Sequence, residues 1–115
     1  MGFYGQGHVY SATIASAATF SEAVDLKGYH QKMVFEVPSG VSANVKILAA
    51  NNFAGTYRPL FVHTAGSSPP SAVQLSIPSA TSNAMIGDLP CPGRFVKVET
   101  TTALADCGLF YFTVF

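Results

Sequence analysis

Tryptophan is absent from this chain, and only 10% of its residues are charged, against about 25% in an average globular domain. Six basic and six acidic side chains cancel, so no net field steers the protein toward nucleic acid or an anionic membrane, and neither is expected as a partner. The two cysteines, Cys91 and Cys107, have neither CxxC nor zinc-ligand spacing. They flank the last two candidate strands, which leaves open either a disulfide between them or two free, half-buried thiols. His8, His30 and His63 stand far apart, with no adjacent carboxylate, so no metal site is expected. No window reaches the ~18 consecutive apolar residues of a membrane helix. The first residues lack the basic and apolar regions of a secretory signal. A soluble chain made in the cytoplasm is the expectation.

The absences extend to catalytic motifs. There is no GxSxG elbow and no phosphate-binding glycine loop. Cys107 as a nucleophile would need a base and an electropositive setting, whereas Asp106 precedes it. The carboxylates Glu22, Asp25, Glu36, Asp88, Glu99 and Asp106 offer no pair with an evident cleft. Without tryptophan, the aromatic platforms common in sugar clefts are also missing. Asp88 and Asp106 read as turn residues. The six cations are scattered singly, and Lys97 and Glu99 share one strand face, which suggests a cross-strand or diagonal charge pair. No catalytic residue and no cofactor is expected, and the chain does not read as an enzyme.

What the sequence has is strand periodicity. In Phe95–Thr100, Phe95, Lys97 and Glu99 alternate with Val96, Val98 and Thr100; from Gly108, Phe110, Phe112 and Val114 alternate with Leu109, Tyr111, Thr113 and Phe115. Period-2 alternation of β-branched and aromatic residues marks strands. The two runs read as a strand pair on which a sheet is built. Met33, Phe35 and Val37 share a face opposite Lys32, Val34 and Glu36. Val41, Ala43, Val45, Ile47 and Ala49 alternate with polar neighbours and Leu48. Phe20, Glu22 and Val24 form another alternating frame. The Ala12–Ala18 run has helix propensity, but Thr13, Ile14 and Thr19 oppose a helix. Pro59 places 57–62 at an edge or beside a bulge, and Gly55 marks a turn. Residues 63–70 read as loop and 72–77 as a strand. A short strand ends at Gly87-Asp88, before a rigid 89–93 connection.

Eight or nine short strands at roughly 8–12-residue spacing, with no credible helix, predict a single-domain antiparallel β-sandwich or jelly roll of about eight strands. Residues 9–115 make that domain. Residues 1–8 form a glycine-rich arm in which Phe3 and Tyr4 dock either on their own domain or on a neighbouring subunit. Opposite the predicted core lie Val34, Leu48, Phe95, Leu109, Tyr111 and Phe115. Exposed together they exceed the apolar patch a monomer usually shows. Either loops or a different strand frame cover them, or they join Phe3 and Tyr4 as a subunit or partner interface.

Five segments carry a resemblance: Ala-Val-Asp-Leu-Lys-Gly-Tyr at 23–29, Val-Phe-Glu-Val-Pro-Ser at 34–39, Val-Lys-Ile-Leu-Ala-Ala-Asn at 45–51, Gly-Thr-Tyr-Arg-Pro-Leu at 55–60 and Gly-Arg-Phe-Val-Lys-Val-Glu-Thr at 93–100. This succession over residues 20–115 resembles small β-sandwich structural proteins of tailed bacteriophages. It departs from them at Ala105-Asp106-Cys107-Gly108, where the family pattern has Ala-Ala-Asp-Arg. The resemblance implies a virion structural protein, most like a capsid decoration (cement) protein. Such a protein would be made in the bacterial cytoplasm and placed on the outer capsid, with the major capsid protein and its own copies (dimer or trimer) as partners. A tail, baseplate or head-fibre part and a carbohydrate-binding β-sandwich are the alternatives; the latter would use Tyr10, Tyr29 and Tyr57.

Overall fold

Alternation places one row of side chains on each side of every strand, and the burial of this chain follows that rule closely. A computed structural model describes residues 7–63, 72–78, 84–104 and 107–115. Its strands are β1 (His8–Ile14), β2 (Val24–Asp25), β3 (Lys32–Val37), β4 (Val45–Ala50), β5 (Arg58–Pro59), β6 (Phe61–His63), β7 (Ala72–Gln74), β8 (Ala84–Pro90), β9 (Phe95–Thr100) and β10 (Gly108–Val114). No helix occurs among the described residues. Two four-stranded antiparallel sheets, β1-β10-β3-β8 (sheet A) and β2-β9-β4-β5 (sheet B), pack as a β-sandwich, and β6 and β7 pair in a small ribbon.

The core lies between the sheets. Ala12 and Ile14 of β1, Met33, Phe35 and Val37 of β3, and Phe110, Phe112 and Val114 of β10 face inward from sheet A. Val45 and Ile47 of β4 and Val96 and Val98 of β9 meet them from sheet B. The Phe35 ring lies parallel to Phe110, with centroids 5.7 Å apart, and tilted against Phe112 at 5.0 Å. The alternation frames read for β3, β4, β9 and β10 are therefore the observed ones. The core draws on both sheets rather than on the last two strands alone.

Those two strands are not partners. β9 pairs with β2 and β4, whereas β10 pairs with β1 and β3. The connection between them crosses one end of the sandwich. Thr101 N–H donates to the Asn44 carbonyl (3.0 Å), Ala17 N–H donates to the Leu104 carbonyl (2.8 Å), and Leu104 is buried. A tight hairpin would have put both strands in one sheet. The longer connection, held by the buried Leu104, carries the chain to the opposite sheet.

The 20–24 segment also departs from simple alternation. The bridge Phe20↔Glu99 is followed by the pair Val24↔Val96, so the 20–24 segment holds one residue more than β9 does opposite it. This β-bulge flips the side-chain parity. Ser21 and Val24 are buried, while Phe20 is half exposed. Ser21 N–H donates to the Val98 carbonyl (2.9 Å), and Val98 N–H donates to Ser21 Oγ (2.9 Å), the hydroxyl standing in for a ladder carbonyl.

Smaller departures follow the same physics. β8 runs through Gly87 and Asp88 to Pro90 instead of ending there, with a register irregularity opposite Met33/Phe35. The predicted 57–62 strand breaks at buried Leu60, whose N–H donates to the Ile47 carbonyl and whose carbonyl accepts Leu75 N–H. Pro59 does lie in a short strand at the edge of sheet B. The turn after β1 holds Ala17 at φ 67°, where a Cβ is unfavourable. Ala17→Gly is therefore expected to leave stability unchanged or raise it by about 0.5–1 kcal/mol. A urea midpoint lowered by the substitution would contradict this.

Candidate functional site: the two outward sheet faces

The predicted interface residues divide between two surfaces. Val34, Leu109, Tyr111 and Phe115 lie on the outward face of sheet A, and Leu48 and Phe95 on that of sheet B. They do not form one patch. Phe3 and Tyr4 lie outside the described residues, as does Asp106. His8, read as the end of the arm, is the first residue of β1 and pairs with Val114.

On sheet A the registers set out the outward face row by row. Ser11, Tyr111, Glu36 and Met85 lie in one row, and Val9, Thr113 and Val34 in the next. Beyond them Phe115 lies beside Lys32, its N–H donating to the Lys32 carbonyl (3.0 Å). Val9 is 62% exposed, Met85 65%, and Leu109 and Phe115 nearly half. Sequence pattern alone missed Val9 and Met85; their β partners at Thr113 and Glu36 identify them. Among the described side chains of these rows, Lys32 and Glu36 are the charged ones. Gly7 leaves room for the terminal ring, since a Cβ there would stand 2.8 Å from Phe115 Cε1.

The outward face of sheet B is different in chemistry. Lys46 stands opposite Glu99, and Leu48 opposite Lys97. The 51–57 connection turns at Asn52–Gly55 and folds over β9. Phe53 meets Phe95 edge-on at 5.9 Å, Tyr57 Oη donates to the Phe53 carbonyl (2.8 Å), and Lys97 Nζ sits 4.5 Å over the Tyr57 ring. The strand face of Lys97 and Glu99 thus sets Glu99 across from Lys46, while Lys97 makes a cation–π contact with Tyr57. Arg94 lies 5.1 Å from the Phe95 centroid and grips Asp25 with two hydrogen bonds of 2.9 and 3.1 Å. These contacts join Asp25, Arg94, Phe95, Phe53, Tyr57 and Lys97 into one chain. An open groove of about 270 Å³ adjoins it, lined by Ala49, Asn51, Thr56, Arg58 and Phe61 among others.

The Arg94 guanidinium, followed by the Lys27 backbone N–H, lowers Asp25 from its ordinary 3.8 to about 2. A carboxylate depressed in the folded state contributes stability above its unfolded pKa and loses it as pH falls through the folded value. Wild-type protein should therefore lose stability between pH 4 and pH 2 more steeply than Asp25→Asn. Equal slopes in urea midpoints over that range would show that the pair contributes nothing there.

The remaining titratable groups are spread out. Glu36 is on sheet A, Glu99 on sheet B, and Glu22 reaches the Thr13 N–H at 3.3 Å. His30 Nε2 donates to the Leu26 carbonyl (2.9 Å). Cys91 and Cys107 are free thiols, Cys91 half-buried and Cys107 exposed. Burial pushes the Cys91 thiol up, away from a thiolate. Among the described residues no three of the metal-ligating types come together, and no helix is long and apolar enough to cross a membrane. Tyr10 packs against the core, Tyr29 is exposed before β3, and Tyr57 is held by Phe53 and Lys97. They lie on separate elements. Comparison of the chain with family models, curated proteins and solved structures finds no match.

Proposed function

We propose that this chain is a structural protein of a tailed-phage virion, one that decorates and stabilises the capsid by binding between major capsid subunits. The observation that carries the reading is the outward face of sheet A. It presents Val9, Met85, Leu109 and Phe115 to solvent, and among its described side chains charge stands only at Lys32 and Glu36. Exposed apolar surface of this extent marks association sites, and the low overall charge favours contact with another protein. The sequence resemblance to phage β-sandwich proteins supplies the identity of the particle. Stabilisation would follow from mass action: a ligand that binds only the assembled lattice stabilises that lattice.

Co-sedimentation with capsids of the encoding phage, followed by heating of decorated and bare capsids, tests the reading. Saturable binding and a raised capsid melting temperature are expected. Protein that stays in the supernatant at saturating concentration would overturn it. Binding to purified tails alone would move the protein to another part of the virion. Retention on a glycan array instead would favour the exposed Phe53 and Tyr57 region as a sugar-binding surface.

A further inference from the structure

We infer that the groove beside β5 is a docking site for an acidic, extended segment of a partner protein, with Arg58 receiving a carboxylate of that segment. The inference concerns the edge of sheet B. It stands apart from the sheet A face and from the identity of the larger particle.

The chain is neutral as a whole, but its charge is unevenly placed. Five of its six cations, Lys27, Lys46, Arg58, Arg94 and Lys97, lie on or beside the strands of sheet B. Among the described residues, the carboxylates there are Glu22, Asp25 and Glu99. Glu22 reaches away to the Thr13 N–H of β1, and Arg94 and Lys27 share the single charge of Asp25. Glu99 alone is left against Lys46, Lys97 and Arg58. Such a local surplus draws in an acidic partner and orients it.

Arg58 is the cation with a cavity beside it. It is exposed on the edge strand β5, and Ala49, Asn51, Thr56, Phe61 and Pro92 line the same groove of about 270 Å³. Among the described residues, no hydrogen bond or ion pair engages the side chains of Arg58, Asn51 or Thr56. A guanidinium, a carboxamide and a hydroxyl thus share one groove, and the fold uses none of them. The guanidinium fork matches a carboxylate through two parallel N–H···O bonds. The alanine, proline and phenylalanine walls suit an apolar neighbour of that carboxylate.

Size decides what carries the carboxylate. Small-molecule sites run to about 300–1,000 Å³, and this open groove falls below that range. A lone exposed ion pair contributes little, so a free small carboxylate would not be held. A protein segment adds contact beyond the groove, where Phe53 and Phe61 are 64% and 50% exposed. Pro59 removes a ladder N–H from β5, so side chains rather than strand addition must recognise the segment. Single-stranded nucleic acid, the other polyanion, needs free ring faces for stacking. Here Lys97 covers Tyr57 at 4.5 Å and Arg94 lies 5.1 Å from Phe95, which Phe53 also meets edge-on.

The test is a nuclear magnetic resonance titration of the full chain, following the Arg58 Nε–H and Asn51 side-chain amide signals. The probe is a blocked hexapeptide alternating glutamate and leucine. Control peptides carry glutamine or lysine in place of glutamate, and oligothymidylate is the nucleic-acid arm. The glutamate peptide should shift both signals saturably, with a dissociation constant of about 0.1–1 mM that weakens at high salt. Arg58→Ser should weaken binding by roughly tenfold or more without changing the melt, and Arg58→Lys should recover only part of the loss. A glutamine peptide that binds as well, shifts that saturate elsewhere, or an Arg58→Ser variant that binds like wild type would overturn the inference. Oligothymidylate binding without peptide binding would overturn it in favour of a nucleic-acid surface. A chain that binds capsids but ignores the acidic peptide removes only this inference; one that binds the peptide but ignores capsids removes only the decoration reading.

Discussion

Replacing Phe35 by alanine is expected to lower the unfolding free energy by about 3–5 kcal/mol, the largest effect of any single truncation considered for this chain. Phe35 is fully buried on β3 at the middle of sheet A, and its ring touches both Phe110 and Phe112. Truncation removes the transfer free energy of the ring and leaves a cavity beneath two further rings. Neither can move in to fill it, because the β10–β3 register holds both backbones. Natural domains of this size have about 5–15 kcal/mol to lose, so the variant would be marginal, with a melting temperature lower by roughly 10–20 °C. Phe35→Leu keeps most of the volume and should cost under about 1.5 kcal/mol. Urea denaturation of the two variants checks both numbers. A Phe35→Ala loss below about 1 kcal/mol would mean that this aromatic cluster is not the centre of the core.

Strand frames were legible wherever the alternation ran unbroken. Met33-Phe35-Val37 and Phe110-Phe112-Val114 alternate because only one face of each strand is dry, and the same burial writes the pattern into the sequence. Partner choice was not legible. Nothing local in Phe95–Thr100 says whether its neighbour is β10 or β4, since both would present the same apolar row. That decision lies in the Thr101–Leu104 crossing and its contacts with Asn44 and Ala17, which are seventy or more positions apart in some cases and leave no periodic trace. The candidate interface suffered for the same reason. Val34 and Leu48 both alternate outward, but outward from different sheets, and strand frames alone do not separate these two chemically distinct faces. Residues such as Val9 and Met85 become visible only when register sets them beside Thr113 and Glu36.

The two faces suggest a division of labour within one small domain. Sheet A presents Val9, Met85, Leu109 and Phe115, with charge among its described side chains only at Lys32 and Glu36. Sheet B presents Lys46, Lys97, Glu99 and the Arg94–Asp25 pair, partly covered by the 51–57 connection. Charged, partly hydrated surface gives orientation and specificity toward a different partner more than raw affinity.

Ser21→Ala is the second substitution with a large expected effect, about 1–3 kcal/mol, and it acts through one hydrogen bond. Most serine-to-alanine changes are mild. Here the hydroxyl is buried, accepts Val98 N–H at 2.9 Å and donates to the Glu22 carbonyl at 2.9 Å. The bulge between Phe20 and Val24 moves the backbone out of register, and the side chain fills the place of the missing ladder acceptor. Alanine at this position leaves the Val98 N–H buried without a partner, and the desolvation penalty of that group is the source of the loss. The effect should be local as well as global. Native-state hydrogen exchange should show Val98 losing protection in Ser21→Ala, while Ile47, paired with Val98 on the other side of β9, keeps protection in proportion to the overall stability. If Val98 exchanges no faster than the global change requires, the segment has re-registered to supply a backbone carbonyl. The bulge would then be a consequence of Ser21 rather than of the sheet around it. In that case, with Phe20 still opposite Glu99, Ala23 would stand opposite Val96 and face the core, and Val24 would turn outward.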